Sequence, residues 1–174
     1  MKKLYLARHE RAGDAVTFAQ SGKSDEQRPL TEEGVQRAHK NSKKLQVLIE
    51  GVDLIVTSPY KRAIQTSLPY EDAFNPKSSL ESEYLVPYAD VTKTLEYLNH
   101  LFEKHSSIMA FGHNPHMQCL ASYLLSGRET AVLDFKKGAV LALENSGRFS
   151  AGGACLSWFM KARQISLLES LRKK

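Results

Sequence analysis

Lys3-Leu-Tyr-Leu-Ala-Arg-His-Glu10 opens the chain with four apolar residues, Leu4 to Ala7, that halt on Arg8 and His9. A short apolar run without polar alternation reads as a strand buried on both faces, the kind found inside parallel sheets. Ending on Arg-His, it aims both side chains just past its carboxyl end, where ligands bind in open α/β sheets. An arginine there suits an oxyanion, and a histidine beside it can serve as nucleophile or acid/base. The stretch predicts a phosphate-handling site at the end of a buried strand.

The same ending recurs twice. Asp53-Leu-Ile-Val-Thr57 predicts a second strand, with Ser58 as the cap of a following helix and Pro59 as its first residue, so that Arg62 falls in the first turn. Helical side chains lean towards the N-terminus, so Arg62 reaches back beyond the strand and joins free N–H groups that already favour an anion. Ser107-Ile-Met-Ala-Phe111 predicts another buried strand, ending in Gly112-His113-Asn114-Pro115. Asn114 is expected to cap, and Pro115 to begin, a helix through Leu125, which sets His113 between a strand end and a helix start. Gly112 allows close approach of backbone or ligand. Three strand ends thus offer Arg8, His9, Arg62 and His113 to one pocket.

Between these strands, residues 11–29 show no sustained period and are rich in Gly, Ser, Asp and Gln. A loop of that length directly after the site is expected to be either a flap over the substrate or a disordered loop. Thr31 caps a predicted helix running to about Leu48, with Glu32 and Glu33 in the first turn, where the dipole favours them. A third strand is expected near Leu80 to Leu85, and Asp90 caps a predicted helix from Val91 to Lys104. Gly138 to Glu144 and Ala154 to Phe159 predict an antiparallel hairpin added to the sheet, and Ile165, Leu168 and Leu171 mark a short amphipathic helix.

Composition narrows the partners. The 174 residues, 42% hydrophobic and 25% charged, suit one globular domain over 1–174. Much of the net charge of +5 sits in residues 161–174, where Lys161, Arg163, Arg172, Lys173 and Lys174 face only Glu169. A basic tail is not a basic face, so nucleic acid is not the expected partner. Arg37, Lys40, Lys43 and Lys44 interleave with Val35, Ala38, Leu45 and Leu48 as a solvated helix face would. Cys119 and Cys155 lack metal-ligand spacing and fit a cytoplasmic protein without a disulfide framework. The longest uncharged stretch, Ser106 to Gly127, is broken by Gly112, Asn114 and Pro115 and reads as strand, turn and helix, so no membrane span is expected.

Leu6-Ala-Arg8-His9, Arg28-Pro-Leu-Thr-Glu-Glu-Gly34, Ser58-Pro-Tyr-Lys-Arg62-Ala-Ile-Gln-Thr66 and Gly112-His113-Asn-Pro115, in this order, resemble the histidine phosphatase superfamily, and within it the small phosphohistidine phosphatase SixA branch. The resemblance implies a phosphoglycerate mutase-like fold: α/β, three layers, a mostly parallel central sheet and the antiparallel C-terminal hairpin. It implies a hydrolase in which His9 is the nucleophile and holds the phosphoryl group covalently until water removes it. Arg8, Arg62 and His113 would bind the phosphoryl oxygens, Arg28 would support them, and neither a metal nor another cofactor is called for. Glu10 stands where the family usually has glycine, and Asn114 where its acid phosphatases have an aspartate. Glu83 is the candidate general acid. A weak acid suffices when the leaving group is an imidazole, so the expected substrate is a phosphohistidine on a signalling protein. The alternatives are a small phosphate ester as substrate, or a protein that binds phosphohistidine without turning it over. His113 and His116, three residues apart, are a remote candidate for a metal pair.

Overall fold

The computed structural model describes residues 1–130 and 133–169. Among them, six strands form one sheet: β1 (Lys2–Arg8), β2 (Leu54–Thr57), β3 (Ser78–Glu81), β4 (Ser107–Gly112), β5 (Val140–Asn145) and β6 (Cys155–Met160). They lie in the order β3-β2-β4-β1-β5-β6. The first four run parallel, β5 pairs antiparallel with β1, and β6 antiparallel with β5. The helices are α1 (Ala15–Ala19), α2 (Glu32–Leu45), α3 (Lys61–Phe74), α4 (Val91–Leu101), α5 (His116–Ser126) and α6 (Ala162–Ile165). None is long and apolar enough to cross a membrane.

The period of two along β1 builds the layers. Leu4 and Leu6 pack with Leu54, Val56, Ile108 and Leu141 against Leu95 and Leu98 of α4 and Leu120 of α5. Tyr5 and Ala7 pack with Ile55, Met109, Phe111 and Val140 against Leu45 of α2, Tyr70 of α3 and Ile165 of α6. Both faces of the sheet are covered, which is why its central strands read as unbroken apolar runs. The three-layer α/β/α fold with its antiparallel hairpin is as expected.

Several boundaries differ from expectation. The third strand is Ser78–Glu81, not 80–85, because the Ser82 side chain accepts from the Tyr84 N–H and turns 83–85 into a 3-10 helix. Helix α3 begins at Lys61 after Tyr60, not at Pro59. The Ser58 hydroxyl lies 2.9 Å from His113 Nε2, and the Tyr60 N–H reaches it only at 3.4 Å. Helix α5 begins at His116 after Pro115, and Asn114 does not cap it: its amide donates to Gln118 Oε1 and to the Phe135 carbonyl. Helix α2 ends at Leu45 and α4 at Leu101, earlier than expected, each tightening into a turn. Residues 11–29 are not structureless: they hold α1, capped by Asp14, and a 3-10 turn at Asp25–Gln27. Among the described residues of the expected C-terminal helix, only Ala162–Ile165 are helical, and Leu171 lies outside the described residues.

Candidate active site

Strands β2, β4 and β1 are neighbours, so their carboxyl ends deliver their next residues to one place. Arg8 pairs in register with Gly112, and the His9 N–H donates to the Gly112 carbonyl at 3.0 Å. His9 and His113 therefore meet, with ring centroids 4.9 Å apart. A side chain at Gly112 would press on the Leu85 carbonyl and on Met117, which is why the strand ends on glycine.

The cavity at these strand ends measures about 570 Å³ and is lined by Arg8, His9, Arg28, Arg62, His113 and Lys137, with residues 11–15 forming one wall. His9, Arg62 and His113 are buried at 5%, 3% and 1% exposure. The segment expected as a flap walls the pocket. Its Arg28 donates from Nη1 to the Gly13 carbonyl and from Nε to Asp25 Oδ1 at 2.7 Å. Asp25 in turn takes two bonds from Arg62, Nη1 to its carbonyl and Nη2 to Oδ2. Arg8 is anchored at 2.8 Å to the Phe135 carbonyl.

The protonation of His9 follows from one contact. Its Nδ1 lies 2.6 Å from the Glu10 carbonyl, an oxygen that can only accept, so Nδ1 carries the proton and Nε2 keeps its lone pair. Burial, with the charges of Arg62, Arg8 and Lys137, pushes the His9 pKa down to about 3 against the opposing pull of that hydrogen bond. Burial and the neighbouring His9, Arg62, Arg8 and Arg28 push His113 down to about 2. Both imidazoles are neutral at neutral pH. Arg8 Nε, Arg62 Nε and His113 Nδ1 are buried without a hydrogen-bond partner among the described residues. Buried polar nitrogens are normally satisfied, so an oxyanion that accepts from several of them fits the pocket.

Glu83 is exposed, starts the 3-10 turn after β3 and is absent from the cavity lining; its charge reaches Tyr60, whose ring lies 4.9 Å from that of His113. His113 and His116 diverge, one facing Ser58 and the other Thr94 Oγ1 at 3.2 Å. Among the described residues no three His, Cys, Asp or Glu side chains gather as a metal-binding set.

Sequence reasoning missed Asp25, Ser58 as the partner of His113, and Lys137. Asp25 had a signal in its spacing, an acid three residues before Arg28. Lys137 had one in topology: an antiparallel strand beside β1 starts where β1 ends, so the residues leading into β5 arrive at the site.

Residues 4–84 match the model of the Histidine phosphatase superfamily (branch 1). The chain has the histidine phosphatase fold. Among solved structures it is similar to the protein histidine phosphatase SixA complexed with tungstate, with 26% identity over 92% of this chain and 97% of that one and a TM-score of 0.79. A SixA structure from Agrobacterium tumefaciens has 24% identity, the same coverages and a TM-score of 0.75. A phosphoserine phosphatase mutant from Entamoeba histolytica in complex with phosphoserine superimposes with a TM-score of 0.69 at 16% identity, covering 97% of this chain and all of that one. No curated protein matches the sequence. The motifs at Arg8, His9, Arg28 and Arg62 fall inside the segment that matches the histidine phosphatase model, and His113 lies beyond it.

Proposed function

We propose that the protein is a cytoplasmic, metal-independent phosphatase that removes phosphoryl groups from phosphohistidine on a protein, through a covalent intermediate on His9. The contact between His9 Nδ1 and the Glu10 carbonyl carries this reading, because it frees Nε2 as a nucleophile. In the first step Nε2 attacks phosphorus while Arg8, Arg62 and His113 bind the equatorial oxygens and offset the charge of the transition state. Arg28 supports them from the wall formed by residues 11–29. Water then takes the phosphoryl group from His9 and the electron pair returns to Nε2. Low pKa values suit this role, since a protonated imidazole has no lone pair to give.

Likeness to SixA favours a phosphorylated protein over a free ester. The test compares a phosphohistidine protein with sugar phosphates, nucleotides and phosphoserine, using wild type and His9→Ala. Wild type should release phosphate fastest from phosphohistidine, and His9→Ala should release none; ester preference, or full turnover by the variant, refutes the respective half of the proposal.

A further inference from the structure

Lys137 stands apart from its neighbours. Lys136 and Lys161 both pair with Asp134, at 3.1 and 2.9 Å, whereas Lys137 has no ion-pair or hydrogen-bond partner among the described residues. It is nevertheless held in place: the adjacent Gly138 N–H donates to the carbonyls of both Arg8 and His9 at 3.1 Å, and the Phe135 carbonyl grips Arg8. An unpaired ammonium is thus tethered to the strand that carries the nucleophile, in a wall that already holds Arg8, Arg11, Arg28 and Arg62.

Elimination among the ionisable groups of that wall gives it a role. The four arginines do not release a proton in water. Asp14 accepts from the N–H and the hydroxyl of Thr17 as the cap of α1, and the Thr17 backbone bond foremost holds it ionised. His9 is the nucleophile, and His113 is neutral. Lys137 alone among the ionisable groups of the described lining carries a proton it can transfer. Position agrees with this. The attacking and leaving atoms lie roughly in line across phosphorus, so attack from a buried His9 sends the leaving atom towards the mouth. Lys137 is exposed at that mouth.

We propose that Lys137 is the general acid, donating the Nζ proton to the departing atom; this rests on His9 being the phosphoryl acceptor. As the bond from His9 Nε2 to phosphorus forms, the bond to the leaving atom breaks, its electron pair stays on that atom, and the Nζ proton joins it. Lys137 is left as a neutral amine. In the second step it takes a proton from the attacking water, the hydroxyl joins phosphorus, and the electron pair of the phosphorus–nitrogen bond returns to Nε2. Burial and the repulsion of Arg8, Arg28, Arg11 and Arg62 lower the Lys137 pKa, which makes the ammonium a better acid.

The test is kcat/KM against pH on phenyl phosphate, which needs a protonated leaving group, and p-nitrophenyl phosphate, which does not, for wild type, Lys137→Arg, Lys136→Ala and Glu83→Gln. Lys137→Arg keeps the charge but cannot release a proton. It should lose roughly 10²-fold or more on phenyl phosphate, a loss at least about 10-fold greater than on p-nitrophenyl phosphate. It should also abolish the alkaline fall of the wild-type phenyl phosphate profile, with Lys136→Ala behaving as wild type. Equal losses on both esters, or full rescue of both by arginine, would make Lys137 a phosphate ligand and overturn the proposal. A leaving-group-dependent loss in Glu83→Gln in place of Lys137→Arg would overturn it too. Wild type active on a phosphohistidine protein but no faster than His9→Ala on either ester would also overturn the assignment of Lys137, whereas wild type no faster than His9→Ala on all three substrates would bring down the phosphatase reading with it.

Discussion

Asp25 Oδ2 lies 2.9 Å from Arg62 Nη2 while Asp25 Oδ1 lies 2.7 Å from Arg28 Nε, so one carboxylate bridges the two guanidiniums that come from α3 and from the wall of residues 11–29. Asp25 holds Arg62 by both terminal nitrogens, Nη2 through the carboxylate and Nη1 through its backbone carbonyl, and the buried Arg62 Nε is left without a partner among the described residues. On the proposed function, a carboxylate there repels the phosphoryl group but fixes the donors that would meet it. The two effects separate in Asp25→Asn. Inorganic phosphate should inhibit this variant at several-fold lower concentration than wild type, because a negative charge beside the anion is gone. Its kcat should fall about 10-fold, because an amide offers one acceptor oxygen to two guanidiniums and one of them loses its preset position. A variant with unchanged kcat and weaker phosphate inhibition would show that the bridge does neither.

Much of this site was legible because it sits where strands end. Unbroken apolar runs at Leu4 to Ala7, Leu54 to Val56 and Ile108 to Phe111 located three buried strands, and parallel pairing of neighbours brings their ends together. Arg62 kept its place although α3 starts two residues later than expected, since the first helical turn still contains it. Local rules failed where a hydroxyl or amide had a stronger tertiary partner: Ser58 turned to His113 and Asn114 to Phe135 instead of capping. Asp25 and Lys137 lie in connecting segments whose contacts depend on chain path, which no period records.

His116 carries a prediction about acid stability that is separate from catalysis. It is buried at 2% exposure against Thr94 Oγ1, and desolvation lowers its pKa to about 4 despite opposing hydrogen bonds. A histidine whose folded pKa lies below its unfolded value takes up protons on unfolding, so it destabilises the fold as pH drops below about 6.5, until the folded form also protonates near pH 4. Glu10, which burial shifts upwards, works in the opposite sense in the acidic range, so the comparison must be between variants. Between pH 7 and 4.5, wild type should lose about 2 kcal/mol more stability than His116→Gln in urea unfolding. Parallel losses in the two proteins would mean that His116 titrates as in the unfolded chain.

Gly138 supports the site by what it lacks. Its φ is +70°, a region in which a side chain is strained, and a β-carbon added there would overlap the Glu10 carboxyl group. Glu10 is fully buried; its Oε1 accepts from Asn41 at 3.4 Å, and Arg37 Nε lies 3.3 Å from its Oε2, within ion-pair distance but without hydrogen-bond alignment. It cannot move aside without breaking these contacts. Gly138→Ala should therefore cost roughly 3 kcal/mol, of which about 1 kcal/mol is the backbone strain. The two causes separate in the Glu10→Gly background, which removes the obstructing carboxyl and leaves the torsion unchanged. There the same substitution should cost only about 1 kcal/mol, so the cycle should show a coupling of about 2 kcal/mol between positions 10 and 138. Additive losses would mean that the carboxyl does not obstruct position 138, and that glycine is required there for its torsion alone.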